Sequence, residues 1–72
     1  MAVFTSSVFA MRKAMILEAL QREQAFSPET AVTMEEAGIV NIENFREYTE
    51  SLVNQEVICR TGDGRFYRDR DE

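Results

Sequence analysis

The chain contains no histidine and no tryptophan, and only one cysteine (Cys59), one proline (Pro28) and three glycines among 72 residues. Each shortage closes a route. Without histidine there is no imidazole base and no serine–histidine or cysteine–histidine nucleophile. A lone cysteine forms no disulfide within the chain, and Cys/His zinc ligation within one chain is excluded. No apolar run is long enough to span a bilayer. The best candidate, Ala14 to Leu20, contains Glu18 and follows Arg12-Lys13. No basic segment precedes an apolar stretch at the N-terminus, so no leader is expected, and a cytoplasmic location is the default expectation. There is no glycine-rich phosphate loop, no metal-ligand spacing and no nucleophile elbow. The expectation is therefore a protein that is not an enzyme, with no cofactor, no metal and no evident small-molecule substrate. A domain this small also has little room for a pocket.

What is present is apolar residue at 44% and a net charge of −5. The apolar fraction is ordinary for a folded protein. The length suits one domain over 1–72 with one small core, marginal when alone. The charge is unevenly spread. Residues 27–56 carry one base, Arg46, against seven glutamates. Residues 1–26 are slightly basic, with Arg12, Lys13 and Arg22 against Glu18 and Glu23. In 57–72 the arginines 60, 65, 68 and 70 balance Asp63, Asp69, Asp71 and Glu72.

Three helices and a hairpin can be read along the chain. The first helix spans about 6–24, opened by a hydroxyl among Thr5 to Ser7 and built of strong helix formers. From Val8 to Leu20 its only polar residues are Arg12, Lys13 and Glu18, which point in widely separated directions. A helix apolar nearly all round is buried on more than one side. Two readings stay open. Either those three residues extend from the edges of an ordinary buried helix and a few apolar residues remain exposed, or part of the helix forms a dimer seam. Candidate seam residues are Phe4, Val8, Phe9, Met11 and Met15, with Val3 beside them. Methionine suits both a core and an adaptable interface.

The second helix is expected over about 28–37. Ser27 is its N-cap, Pro28 its first residue, and Gly38 its left-handed stop. Asn41 is expected to cap a third helix over about 42–54, whose positions Ile42, Phe45, Tyr48 or Thr49, Leu52 and Val53 share one buried face. Its other face shows Glu43, Asn44, Arg46, Glu47 and Glu50. Val57–Arg60 and Arg65–Arg68 are rich in strand formers and flank Gly62-Asp63-Gly64, so a hairpin over about 57–68 is expected, with positive φ supplied by the glycines. Cys59 is read as a small buried side chain in that hairpin, and residues 69–72 as a frayed tail.

This order resembles the winged helix-turn-helix superfamily. The likeness is to short prokaryotic winged-helix modules and rests on three motifs: Ser27-Pro28-Glu29-Thr30-Ala31, Glu36-Ala37-Gly38-Ile39 and Gly64-Arg65-Phe66-Tyr67. It implies an α+β fold of three helices plus a C-terminal β-hairpin wing. In DNA-binding members the helix at 42–54 would enter the major groove and the wing would lie on the backbone. The candidate nucleic-acid contacts are then Asn44, Arg46, Arg60, Arg65 and Arg68.

The charge pattern weighs against that use. Glu43, Glu47 and Glu50 stand where DNA-binding members offer bases or small polar residues, and like charge opposes a phosphate backbone. Arg46 is read as a helix ion pair with Glu50. Arg60 and Arg65 are expected to face the same way across the hairpin, held by a phosphate or by carboxylates of the same chain. Two functions are carried forward. The first is a small acidic winged-helix module for protein interaction or homodimerisation in a regulatory setting. The alternative is a DNA-binding transcriptional regulator that docks through helix 42–54 and the wing arginines. No membrane partner is expected.

Overall fold

The computed structural model describes residues 7–69; the expectations on Val3, Phe4 and the tail beyond Asp69 lie outside them. Helix α1 (Ser7–Arg22) comes first, followed by a single 3-10 turn at Pro28–Thr30. A second 3-10 turn, Glu43–Phe45, leads into α2 (Arg46–Asn54). Strands β1 (Cys59–Arg60) and β2 (Phe66–Tyr67) pair antiparallel, Cys59 opposite Tyr67 and Arg60 opposite Phe66. The fold is thus mixed helix and strand, two α-helices and a hairpin.

The segment 28–37 is not one helix, which corrects the three-helix expectation. Pro28–Thr30 makes one tight turn. Ser27 takes the expected N-cap place with Pro28 in the first turn, and Thr30 reaches back to it. The Thr30 hydroxyl accepts from the N–H groups of Phe26 (3.0 Å) and Ser27 (3.1 Å). Val32 then runs extended and bridges Phe66, its N–H donating to the Phe66 carbonyl at 3.0 Å and its carbonyl accepting from the Phe66 N–H at 2.7 Å. A backbone spent on that bridge cannot also close helical hydrogen bonds. A fresh start follows at once. Thr33 and Glu36 form a reciprocal capping box: the Glu36 N–H donates to Thr33 Oγ1 and the Thr33 N–H donates to Glu36 Oε1, both at 3.0 Å. One helical turn results, closed by the Ala37 N–H on the Thr33 carbonyl at 3.1 Å.

The same stop is used three times. After α1, Ala25 N–H donates to Leu20 O and Gln24 N–H to Gln21 O. After the 33–37 turn, Ile39 pairs with Met34 and Gly38 with Glu35 in the same way, and after α2 Val57 pairs with Leu52 and Glu56 with Val53. This is the paired bond pattern of the Schellman motif, with a left-handed residue before the chain turns inward. Gly38 (φ 80°) suits that place, but Gln24 (φ 55°) and Glu56 (φ 64°) carry a Cβ there. We expect Gln24→Gly and Glu56→Gly each to stabilise by up to about 1 kcal/mol. That corresponds to a rise of roughly 4–8 °C in Tm for a domain this size. Thermal unfolding followed by circular dichroism measures it; an unchanged Tm would mean that the long side chains make up the loss.

Asn41 does not cap the third helical segment. It too is left-handed (φ 56°), a conformation Asn tolerates, and Ile42 occupies the N-cap place. Helical conformation nevertheless spans 43–54, interrupted at Phe45 (φ −117°, ψ 22°), where the 3-10 turn becomes α2. In the hairpin loop the expected positive φ comes from one of the two glycines. Only Gly64 has positive φ (84°), and its N–H donates to Thr61 O at 3.2 Å. A turn followed by a left-handed glycine is the three-residue solution.

The core gathers where these elements meet. Ile16, Ala19 and Leu20 come from α1, Tyr48 and Leu52 from α2, and Met34, Ala37 and Ile39 from the 33–39 turn. Ala25, Ile58 and Phe66 close it from the strand side. Cys59 is half-buried at its edge.

Candidate interaction surfaces

Two of the arginines expected to reach nucleic acid, Arg46 and Arg60, line one cleft between the 33–35 turn, the 42–50 helical segment and the hairpin. The cleft has a volume of about 350 Å³ and includes Arg46, Arg60, Glu35, Glu43 and Glu50 in its lining. Each central arginine is held by a carboxylate of the same chain. Arg46 grips Glu43 through two nitrogens, Nη2 to Oε2 at 2.5 Å and Nε to Oε1 at 3.3 Å. The partner is thus Glu43, one turn N-terminal, where the spacing had suggested Glu50. Glu50 instead receives Arg60 from β1. Arg65 reaches across to Glu36 (2.9 Å) and to Asp63 (3.4 Å).

Register explains that division. Arg60 lies opposite Phe66, so it is not paired with Arg65 across the ladder. Each arginine finds a different glutamate on a different helical segment. Arg68 and Asn44 are exposed, and Arg68 has no ion pair among the described residues.

The pairing marks the acids. Glu36 is held below the usual carboxylate range first by the Thr33 N–H and then by Arg65. Glu43 is lowered by its hydrogen bonds to Arg46, which is raised in return. Asp63 is lowered first by the Thr61 hydroxyl. All three carboxyls bind protons less readily folded than unfolded, so the unfolded chain takes up more protons as pH falls. Their contribution is complete above the unfolded carboxylate pKa of about 4 and is lost below it, as pH drops through the depressed values. Urea midpoints are expected to stay flat from pH 7 to 5 and to decline from about pH 4 downwards. Glu36→Gln should make that decline shallower. Exposure keeps each contribution small.

The second surface lies on α1. Val8 is 55% exposed, Met11 65% and Met15 43%, and Val40 stands beside them at 62%. Spacings of three and four residues put Val8, Met11 and Met15 in one stripe. Met11 and Met15 are therefore not core filler, whereas Met34 is. Phe9 turns the other way, into an aromatic cluster with Tyr48 (4.9 Å between ring centres) and Phe45 (6.0 Å, edge to face). Burial raises the Tyr48 phenol above its ordinary value.

Between the stripe and the 40–45 segment runs an apolar groove of about 220 Å³. Val8, Met11 and Met15 line one wall, and Val40, Asn41 and Phe45 the other. Arg12 lies at its base. Far from extending into solvent at a helix edge, it is only 4% exposed. Its Nη1 donates to the Val40 carbonyl at 2.6 Å, and its guanidinium lies 4.3 Å from the centre of the Phe45 ring. The second α1 arginine does related work at the other end, Arg22 donating to Ala37 O at 2.9 Å. Both reach the carbonyls that the 33–40 segment leaves over as it ends. Arg12 Nε, however, is buried with no acceptor. An unmet buried donor costs about 1–3 kcal/mol. Burial lowers the Arg12 pKa from its ordinary value, and no carboxylate pairs with it among the described residues.

On the hairpin, the Cys59 side chain raises the Tyr67 phenol opposite it, chiefly by hydrogen bonding. Among the described residues no group of three acidic or sulfur ligands is placed to hold a metal ion, and no helix is long and apolar enough to cross a membrane. Comparison with protein-family models, curated proteins and solved structures gives no match.

Proposed function

We propose that this chain is a small winged-helix-like module that acts in the cytoplasm through protein contacts, as a homodimer or with another protein, in a regulatory role and without catalysing a reaction. The observation that carries this reading is the apolar stripe of Val8, Met11 and Met15 on α1, continued by Val40. Contiguous exposed apolar side chains rimmed by polar ones mark interaction sites. The order of α1, the 33–37 turn, the 43–54 helical segment and the hairpin supports the winged-helix layout. The 33–37 turn would then be a shortened second helix.

Docking on DNA through helix 42–54 and the wing would need Arg46, Arg60 and Arg65 to leave Glu43, Glu50 and Glu36. Phosphate would have to approach the glutamates thus exposed, which like charge opposes. Interaction through α1 requires no such exchange.

Sedimentation equilibrium tests the reading. The expected result is a concentration-dependent mass rising from the 8.3 kDa of one chain towards twice that. Met15→Glu should restore the single-chain mass. A clean monomer at high concentration would sink the homodimer. Random duplex DNA at low salt is expected to give no binding. Affinity that falls steeply with salt, and drops in an Arg60→Ala, Arg65→Ala double variant, would favour the DNA alternative.

A further inference from the structure

We infer that the groove over Arg12 is a binding site for a small aliphatic monocarboxylate. Three independent observations converge on it. The groove walls are apolar, with Met11 and Met15 on one side and Val40 and Phe45 on the other. Its base holds a guanidinium that has one donor engaged by Val40 O, one face covered by Phe45, and one buried N–H without an acceptor. No carboxylate of the described chain reaches that guanidinium, although Arg46, Arg60 and Arg65 each have one.

A ligand that satisfies all three features must be apolar over most of its length and carry an acceptor with negative charge at one end. Neutral acceptors such as an alcohol would meet the N–H but not the charge, and a charged acceptor makes the stronger hydrogen bond. Size narrows the class. At about 220 Å³ the groove falls short of the roughly 300 Å³ at which pockets for drug-sized ligands begin, so it covers a short chain. Arg12 Nε has almost no accessible surface, so a guest meets it only as the wall gives way, and the exposed, unbranched Met11 and Met15 adjust readily. The carboxylate lies against the guanidinium and the chain lies along the stripe. Occupancy joins α1 to the 40–45 segment, because Arg12 already spans the two.

The inference does not depend on the α1 seam, and one set of samples reads both. Hexanoate and hexan-1-ol serve as probes, titrated into ¹⁵N-labelled protein. Hexanoate is expected to give saturable amide shifts at Val8, Met11, Arg12, Val40 and Asn41, at least tenfold tighter than hexan-1-ol. Arg12→Met keeps a side chain of similar length and is expected to erase the preference for hexanoate. Met11→Glu leaves Arg12 in place, puts a negative charge on the wall, and should weaken hexanoate alone. Equal binding of the two probes, or a preference that survives Arg12→Met with the fold intact by circular dichroism, overturns the proposal. So does the lack of any saturable shift. Sedimentation of the same samples separates the two ideas. Hexanoate shifts in a monomer support the site and sink the seam, and a dimer without them does the reverse.

Discussion

Leu52→Ala is expected to destabilise the domain by about 2–5 kcal/mol, a large share of what holds it together. Leu52 is almost fully buried, at the centre of the α2 face that meets Ile16, Leu20 and Ile58. Truncation removes apolar contact and leaves a cavity that several elements would have to move to close. Its position adds to the effect, because the Leu52 carbonyl also receives the Val57 N–H that turns the chain into the hairpin. At the usual 0.05–0.15 kcal/mol per residue, a chain of this length has a total stability of roughly 4–11 kcal/mol. A loss at the upper end of the range, taken from a stability at the lower end, would leave much of the protein unfolded at 25 °C. Urea unfolding would show a lower midpoint with an unchanged slope. A loss below about 1 kcal/mol would mean that the core relaxes freely around the gap.

The second large effect is expected at Arg12. Arg12→Ala should cost about 2–4 kcal/mol: a hydrogen bond to Val40 O, the cation over the Phe45 ring, and the packing of a long buried stem. Arg12→Met should cost less than half as much. It keeps the stem and also removes a desolvated charge with an unmet N–H, and apolar replacement of a buried charged group is often nearly neutral. The difference between the two variants, measured by urea unfolding, decides what Arg12 does for stability. Equal losses would mean that the charge itself holds α1 to the 40–45 segment. A loss confined to alanine would mean that the stem does.

Much of the architecture was legible in the residues. The helix formers of α1, the face built by Tyr48 and Leu52, the glycine stop at Gly38 and the strand formers around Gly62-Asp63-Gly64 each announce local structure through physics that acts over a few residues. The failure at 28–37 is instructive. Ser27-Pro28 is a start signal, and Ala31, Val32, Met34 and Ala37 can share a helix face, so one helix was the simple reading. A second start signal stood inside it, Thr33-Met34-Glu35-Glu36, whose Thr and Glu have capping-box spacing. A helix that begins at Thr33 cannot already be running at Val32. The β-branched Val32 then takes the bridge to Phe66, a partner far along the chain that no local rule names.

The site was less legible for the same reason. The ion pairs of Arg60 and Arg65 depend on hairpin register, and the three-residue loop sets Arg60 opposite Phe66 rather than Arg65. Arg12 looked like an edge residue because it is charged. One signal could have found it. It precedes Ile16 by four positions and Ala19 by seven, so it sits on the buried face of α1. Its acceptor, the carbonyl of Val40, is a backbone atom 28 residues away, and a carbonyl leaves no trace in the identity of its residue.

The bridge at Val32 bears on how copies of this chain can meet. Phe66 is paired on both sides, with Arg60 of β1 and with Val32. β2 is therefore an inner strand, and the outward edges belong to a two-residue strand and to a single bridging residue. Edges that short offer almost no ladder for another chain to extend. Among the described residues, growth by strand addition, the usual road from small sheets to fibres, has almost nothing to build on.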